Sequence, residues 1–189
     1  MTQDNFAQAY AFVFAREGGY VNNPADRGGP TNYGITHKTL AAWRGKPVSA
    51  TDVRNLTKIE AREIYRKNYW DAYGLGDLPR LIAVTLFDSL TNHRPRPAVR
   101  LVQSAVNQLQ EQERLKEDGI LGPATRACLD MFGRSDHQLV LCDTALDNRT
   151  ILYHRIVTAN PSQRQFLEGW LNRVSELRLY LRHIMTRGA

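Results

Sequence analysis

The sequence predicts a mainly all-α fold with one short hairpin, and three observations predict it. Apolar residues recur at spacings of three and four, as in Phe6, Tyr10, Val13 and Phe14 or Phe166, Trp170, Val174, Leu177, Leu181 and Ile184, which is one face of an α-helix. Helix-start signals stand before such stretches. Ser49-Ala50-Thr51-Asp52, Thr57-Lys58-Ile59-Glu60 and Asn160-Pro161-Ser162-Gln163 each put a capping side chain three residues ahead of an acid or amide that can bond back. Gly18 to Thr36 is the stretch that breaks the pattern toward strand. Its two glycine pairs and two prolines forbid a regular helix, and Tyr20-Val21 facing Tyr33-Gly34-Ile35-Thr36 predicts a short hairpin.

A chain of 189 residues buries one good core, or holds a catalytic part with a smaller module packed against it. No apolar run approaches the roughly 18 residues of a membrane span. The N-terminus has Asp4 and no basic-then-apolar segment, so the expected place of synthesis is the cytosol. Cys128 and Cys142 are too few for a disulfide framework, lack metal spacing, and read as reduced core thiols. A net charge of +6 and a pI near 9.5 call for a polyanionic partner. Nucleic acid is set aside, because the sequence has no zinc-finger spacing, no aromatic RNP-like strand and no dense Lys/Arg tract. Anionic envelope polymers suit the dispersed arginines equally well.

Taken in order, the first helix carries Phe6, Tyr10, Val13 and Phe14 on one face, with Thr2 or Asp4 as its cap and Glu17 as the next position on that face. A carboxyl continuing a buried stripe sits where the stripe meets a cleft. Partial burial raises its pKa, as a general acid near neutral pH requires; the alternative is a Glu that ends the helix and turns to water. In the loop, Asn22, Asn23 and Asp26 lack the alternating oxygens and closing Glu of an EF-hand. They read as Asx turns or sugar contacts, with no metal implied. Asp26 is a candidate second carboxyl, since glycosidases place two about 5 to 9.5 Å apart; the alternative is that it pairs with Arg27 or braces the loop.

Glu17-Gly18-Gly19-Tyr20-Val21-Asn22, then Pro24, Asp26, Gly28-Gly29, Thr31-Asn32 and Gly34-Ile35-Thr36, resembles the signature of glycoside hydrolase family 108, the N-acetylmuramidases of bacteria and phages. Tyr69-Trp70, Asp77-Leu78-Pro79, Phe87-Asp88, Asn160 to Gln163, Phe166-Leu167 and Gly169 to Arg173 fit the same family. The resemblance implies a lysozyme-like helical fold and Glu17 as the catalytic acid. Phage-type lysozymes similarly place an Asp and a Thr soon after such a Glu, which makes Asp26 with Thr31 or Thr36 the implied partners. Tyr20, Thr31, Asn32 and Tyr33 complete the candidate substrate contacts in this stretch.

Further along, His37 to Trp43 reads as a short helix ended by Gly45-Lys46-Pro47, and Thr57 opens a helix through Trp70. Tyr69 and Trp70 are candidate sugar-stacking rings, the alternative being core. Pro79 starts a helix with Leu81, Ile82, Thr85, Leu86 and Leu90 inward. Asn92 fits a family Asn and is a candidate donor to an N-acetyl group. The chain then departs from the family: His93-Arg94-Pro95-Arg96-Pro97 stands where Ser or Gly is expected, and predicts a stiff basic loop with a solvated His93.

The second half reads as helices marked by Val99, Val102, Ala105, Val106 and Leu109, by Pro123 to Phe132, by Asp136 to Thr158, and by a last helix capped at Asn160. Asp118 to Thr125, following the charged run Glu111 to Glu117, resembles the turn and helix of peptidoglycan-binding modules. The expected division is a lysozyme-like catalytic region over 1–92 and a helical peptidoglycan-binding-like region over 93–189, packed as one unit. Arg173, Arg178, Arg182 and Arg187 form either a solvated face or one that meets an anionic membrane or envelope.

The function expected is hydrolysis of the β-1,4 bond between N-acetylmuramic acid and N-acetylglucosamine by a monomer without metal or organic cofactor. Its expected role is that of a phage or prophage endolysin that reaches the wall after holin-type release. A lytic transglycosylase using the same acid, and a non-enzymatic wall-binding or secretion-assisting protein, are the rival readings.

Overall fold

The computed structural model describes residues 5–22, 29–110, 115–133 and 137–186. Among them the chain is helical apart from one antiparallel hairpin and its connections. The body is organised around α5 (Arg80–Asn92), in which every residue from Leu81 to Leu90 is buried. A helix that is apolar nearly all round belongs in a core. It contacts α1 (Asn5–Phe14), α6 (Pro95–Leu109), α7 (Pro123–Gly133), α8 (Gln138–Ala159) and α9 (Arg164–Thr186). One apolar cluster runs from Phe6 and Val13 through Ile82 and Leu86 to Leu146, Leu177 and Ile184.

The hairpin differs from its expected pairing. β1 (Thr31–Asn32) pairs with β2 (Ile35–Thr36), in register Thr31 to Thr36 and Asn32 to Ile35. Tyr33 at φ 50° and Gly34 at φ 72° make the left-handed two-residue turn whose twist matches paired strands. Val21 adds only a single bridge to Thr31, and Tyr20 lies outside it.

Caps behave largely as their chemistry dictates. Ser49 and Asp52 satisfy each other's backbone N–H at the start of α3 (Ala50–Arg54). Thr57 accepts the Glu60 N–H at 3.1 Å to start α4 (Lys58–Tyr65). The Glu60 carboxylate is taken instead by Arg44, with bonds of 2.9 and 2.8 Å, so that box is half made. The helix expected to run straight to Trp70 changes at Arg66 into a π-turn, Arg66–Asp71. The wider turn rotates the side chains that follow.

The expected loop at His93 to Pro97 shrinks to His93-Arg94. Pro95 begins α6, and both prolines fall in the first turn, where a missing N–H costs nothing. The Asp118–Thr125 turn then packs on that start. Gly119 has φ 75°, and a Cβ there would stand 2.5 Å from the Arg96 carbonyl oxygen, so no larger residue fits. Buried Gln103 ties the turn together, donating to Asp118 Oδ1, Ile120 O and Thr125 Oγ1 and accepting the Gly119 N–H. The polar groups of this turn are spent on folding the chain.

α9 follows a 3-10 turn, Pro161–Gln163, capped by Asn160. It buries Val174, Leu177, Leu181 and Ile184. Its arginines do not form the free face expected of them. Arg178 pairs with Asp143 and Asp147 and Arg182 with Asp143, while Arg173 turns inward; Arg187 lies outside the described residues. Arg16 to Glu176 at 2.6 Å and Tyr180 Oη to the Gln8 carbonyl at 2.8 Å fasten α9 to α1. Among the described residues no helix is long and apolar enough to cross a membrane. Both cysteines are free, Cys142 buried and Cys128 partly so.

Candidate active site

α1 stops at Phe14, one turn short of Glu17. Tight bonds from Arg16 N to Val13 O (3.0 Å) and Glu17 N to Phe14 O (3.2 Å) carry the chain on in the same sense, so Glu17 keeps the inward phase of the helix. Gly18 O then accepts the Tyr33 N–H at 3.1 Å, which draws the hairpin turn against the carboxyl. Gly34 is the contact. A Cβ on it would lie 2.5 Å from Glu17 Oε2 and would overlap the Tyr65 hydroxyl. Tyr65 Oη donates to the Tyr33 carbonyl at 3.2 Å, and its ring packs with those of Tyr69 and Tyr10 at 5.6 and 5.7 Å.

The Glu17 side chain is 19% exposed, with Oε1 3.8 Å from Arg173 Nη1. Burial raises its pKa above the usual carboxyl range; Arg173 pulls it down and Asp88 pushes it up, and the net direction is up. Burial also raises Tyr69, Tyr65 and, to about 12, Tyr10, with Glu17 adding to each. The walls of the site therefore stay neutral hydroxyls.

Behind Glu17 is a buried ion network. Asp88 and Arg149 are both 0% exposed and paired through Oδ2 and Nη1. Arg149 Nε donates to Tyr153 Oη at 2.7 Å. Arg173 donates from Nε to Asp88 Oδ1 at 2.9 Å, with Nη2 2.8 Å from the same oxygen. Burial pushes the Asp88 pKa upward, but the two guanidiniums outweigh it and hold the carboxyl below its ordinary value. His93, expected in solvent, is instead partly buried against Tyr153 at 5.4 Å. Desolvation, with Arg149 next, lowers its pKa to about 4, so the ring is neutral.

The structure gathers Glu17, Tyr33 and Tyr69 into one site, and it corrects several other assignments. Trp70 is 4% exposed and packs edge-on against Phe6 and Phe87, because the π-turn rotates it inward; it is core. Asn32 is buried and donates to the carbonyls of Val53 and Arg54, so it closes the end of α3. Thr36 Oγ1 caps α2 (His37–Arg44), accepting the Thr39 N–H at 3.2 Å; its hydroxyl is committed to the helix start. Asn92 is exposed, but its amide donates to the Asp88 carbonyl and Thr91 Oγ1, which uses both hydrogens expected for an N-acetyl group. Thr31 is half-buried and pairs through its backbone. Tyr20 sits at the loop edge beneath the Arg54 guanidinium, 4.7 Å away. Asp26 lies outside the described residues.

Asp88 and Arg149 carry no expected role at the site, and Arg173 is expected on an exposed face rather than beside Glu17. A detectable signal existed for two of them. Asp88 interrupts the apolar run Leu81 to Leu90, and Arg149 stands on the face of α8 that carries Leu146 and Tyr153; a charge in such a place needs a partner. Among the described residues no three His, Cys, Asp or Glu side chains converge as a metal site. A cavity of about 460 Å3 lined by Arg100, Gln108, Asn148 and Arg155 shares no residue with the surroundings of Glu17.

A carboxyl whose pKa is raised by burial, presented at a tyrosine-lined edge of a helical body, suits the chemistry of a lysozyme-like glycoside hydrolase. Residues 10–93 match the family described as "Glycosyl hydrolase 108" and residues 97–175 match "Predicted Peptidoglycan domain". The structure of Brucella abortus SagA is similar over 94% of each chain, with 34% identity and a TM-score of 0.75. No curated protein matches the chain. The chain belongs to the glycosyl hydrolase 108 family, and is a glycoside hydrolase with peptidoglycan as its substrate and partner.

Proposed function

We propose that the protein is an N-acetylmuramidase, cutting the β-1,4 bond from N-acetylmuramic acid to N-acetylglucosamine with Glu17 as general acid. The observation that carries this reading is the Glu17 carboxyl, poised at an accessible edge with burial raising its pKa. As the glycosidic C–O bond breaks, its electron pair stays on the leaving oxygen, which takes the Glu17 proton. Water forms the new bond at the anomeric carbon and releases a proton, which restores the acid.

Product analysis of digested sacculi tests this with wild type and Glu17→Gln side by side. The expected products are reducing muramic acid ends, lost in the variant. A second reading has support of its own: among the described residues the other carboxyl near Glu17 is Asp88, sealed beneath the surface. A lone acid also suits a lytic transglycosylase, whose products carry anhydro-muramic ends.

In the cell we assign the enzyme the role of an endolysin, made in the cytoplasm and acting on the wall after release, with its charge of +6 favouring approach to anionic envelope polymers. Expression with and without a membrane-permeabilising partner tests this. Lysis that does not depend on permeabilisation would count against it.

A further inference from the structure

We propose that Arg173, supplied by the peptidoglycan-binding region, is a positioning residue of the active site: anchored on buried Asp88, it aligns the Glu17 carboxyl and steadies the carboxylate left when the proton departs. This rests on the reading of Glu17 as the general acid.

The geometry makes Arg173 a fixed cation. Asp88 of α5 holds it by Nε and Nη2 at 2.9 and 2.8 Å, and Asp88 cannot swing away because its other oxygen is held by Arg149 of α8, 0% exposed. Nη1 of Arg173 is left facing Glu17 Oε1 at 3.8 Å. One planar guanidinium thus spans two carboxyls, which a lysine ammonium does less well.

Charge balance says what this arrangement is for. Asp88 and Arg149 already form a neutral pair, so Arg173 is one positive charge in excess. With Glu17 protonated the cluster carries that charge unbalanced. When Glu17 gives up its proton the cluster becomes neutral. The interaction is therefore stronger after proton transfer than before it, which is the condition for lowering a barrier rather than tightening ground-state binding. The separation of 3.8 Å is too long for a hydrogen bond and leaves room to close as charge develops.

Among the described residues the other groups facing Glu17 do not offer a cation. They are Tyr10 of α1, Tyr33 of the hairpin, Tyr65 of α4, Tyr69 of the π-turn and Asp88 of α5. Arg149 and neutral His93 stand behind Asp88. Arg173 reaches Glu17 from α9, inside the segment matched as a peptidoglycan domain. On this reading the two matched regions build one active site.

The test is the pH–rate profile of full-length Arg173→Gln and Arg173→Lys on sacculi. For Arg173→Gln, kcat should fall about 10- to 100-fold with little change in KM. The alkaline limb, set by loss of the Glu17 proton, should move to higher pH, because the cation that eases ionisation is gone. Arg173→Lys should keep the limb near its wild-type position yet lose rate. A wild-type kcat in either variant, or a slower Arg173→Gln with an unmoved limb, would overturn the proposal. Should Arg173→Gln not fold, as judged by its thermal melt, the rate of Arg173→Lys decides. If Glu17→Gln is itself fully active, the general-acid reading fails; if Glu17→Gln is dead and Arg173→Gln is normal, only this proposal fails.

Discussion

Glu17 and Asp88 share one guanidinium, and their pKa values move in opposite directions. Glu17 stands at the edge, 19% exposed, with Arg173 at 3.8 Å and no closer cation among the described residues. Asp88 is fully enclosed, yet its carboxyl is held ionised, because two arginines pair with it and hydrogen-bond to it. Depth alone does not decide which form a carboxyl takes. Desolvation lifts both pKa values, and direct charge-assisted hydrogen bonds outweigh it only at Asp88. The more deeply buried of the two is tied into the structure, and the partly exposed one is free to serve as the proposed acid.

Replacing the acid breaks this contrast most severely. Glu17→Gln should lose about 100-fold or more of its rate in a sacculus-solubilisation assay, with the fold intact by circular dichroism. Asp88→Asn should instead strike stability. Two buried guanidiniums would lose their counter-charge, at a cost of about 3–5 kcal/mol, readable as a shifted midpoint in urea. A stable, active Asp88→Asn protein would mean the network is dispensable.

Gly34→Ala probes the seam between loop and acid. Its left-handed conformation costs a side chain about 1–2 kcal/mol, and the new methyl would press on Glu17 Oε2 and Tyr65. We expect a stability loss of that order together with a fall in kcat. Loss of stability with undisturbed kcat would show that Gly34 serves only the turn.

The smallest effects are in pH-dependent stability. Glu17 has a raised pKa, so the folded state binds its proton more tightly, and stability declines as pH rises from about 4.3 through the folded value. Glu17→Gln removes that decline, so its melting temperature should exceed that of wild type at pH 7 and match it at pH 4. His93 works the other way. Its pKa falls from 6.5 to about 4, so the unfolded chain takes up the proton first and stability drops as pH falls through that window. His93→Gln should flatten the drop. Asp88, whose pKa is lowered, stabilises above about pH 3.9 and ceases to do so as acid protonates it. Thermal melts between pH 3 and 8 read all three.

The helices and the place of Glu17 were legible in the sequence, because an apolar stripe at three- and four-residue spacing and a capping residue act within a few positions of each other. Ser49 with Asp52 and Asn160 before Pro161 are local chemistry; Pro95 and Pro97 read as loop in the sequence, yet they sit in the first turn of α6. The inward turn of Trp70 was not legible, since it depends on a π-turn that no spacing rule marks. Asn32 and Thr36 looked like free polar groups because their acceptor and donor partners lie in α3 and α2.

What the sequence by itself determined is a helical hydrolase with Glu17 as its candidate acid and a hairpin somewhere between Gly18 and Thr36. What only the tertiary structure decided is the company that acid keeps. Arg173 meets Asp88 across 85 residues of chain and Arg149 meets it across 61. An arginine reads the same in sequence whether it faces water or a buried carboxylate. The distinction is made by packing α8 and α9 on α5, which removes the water and leaves each charge to be answered by another.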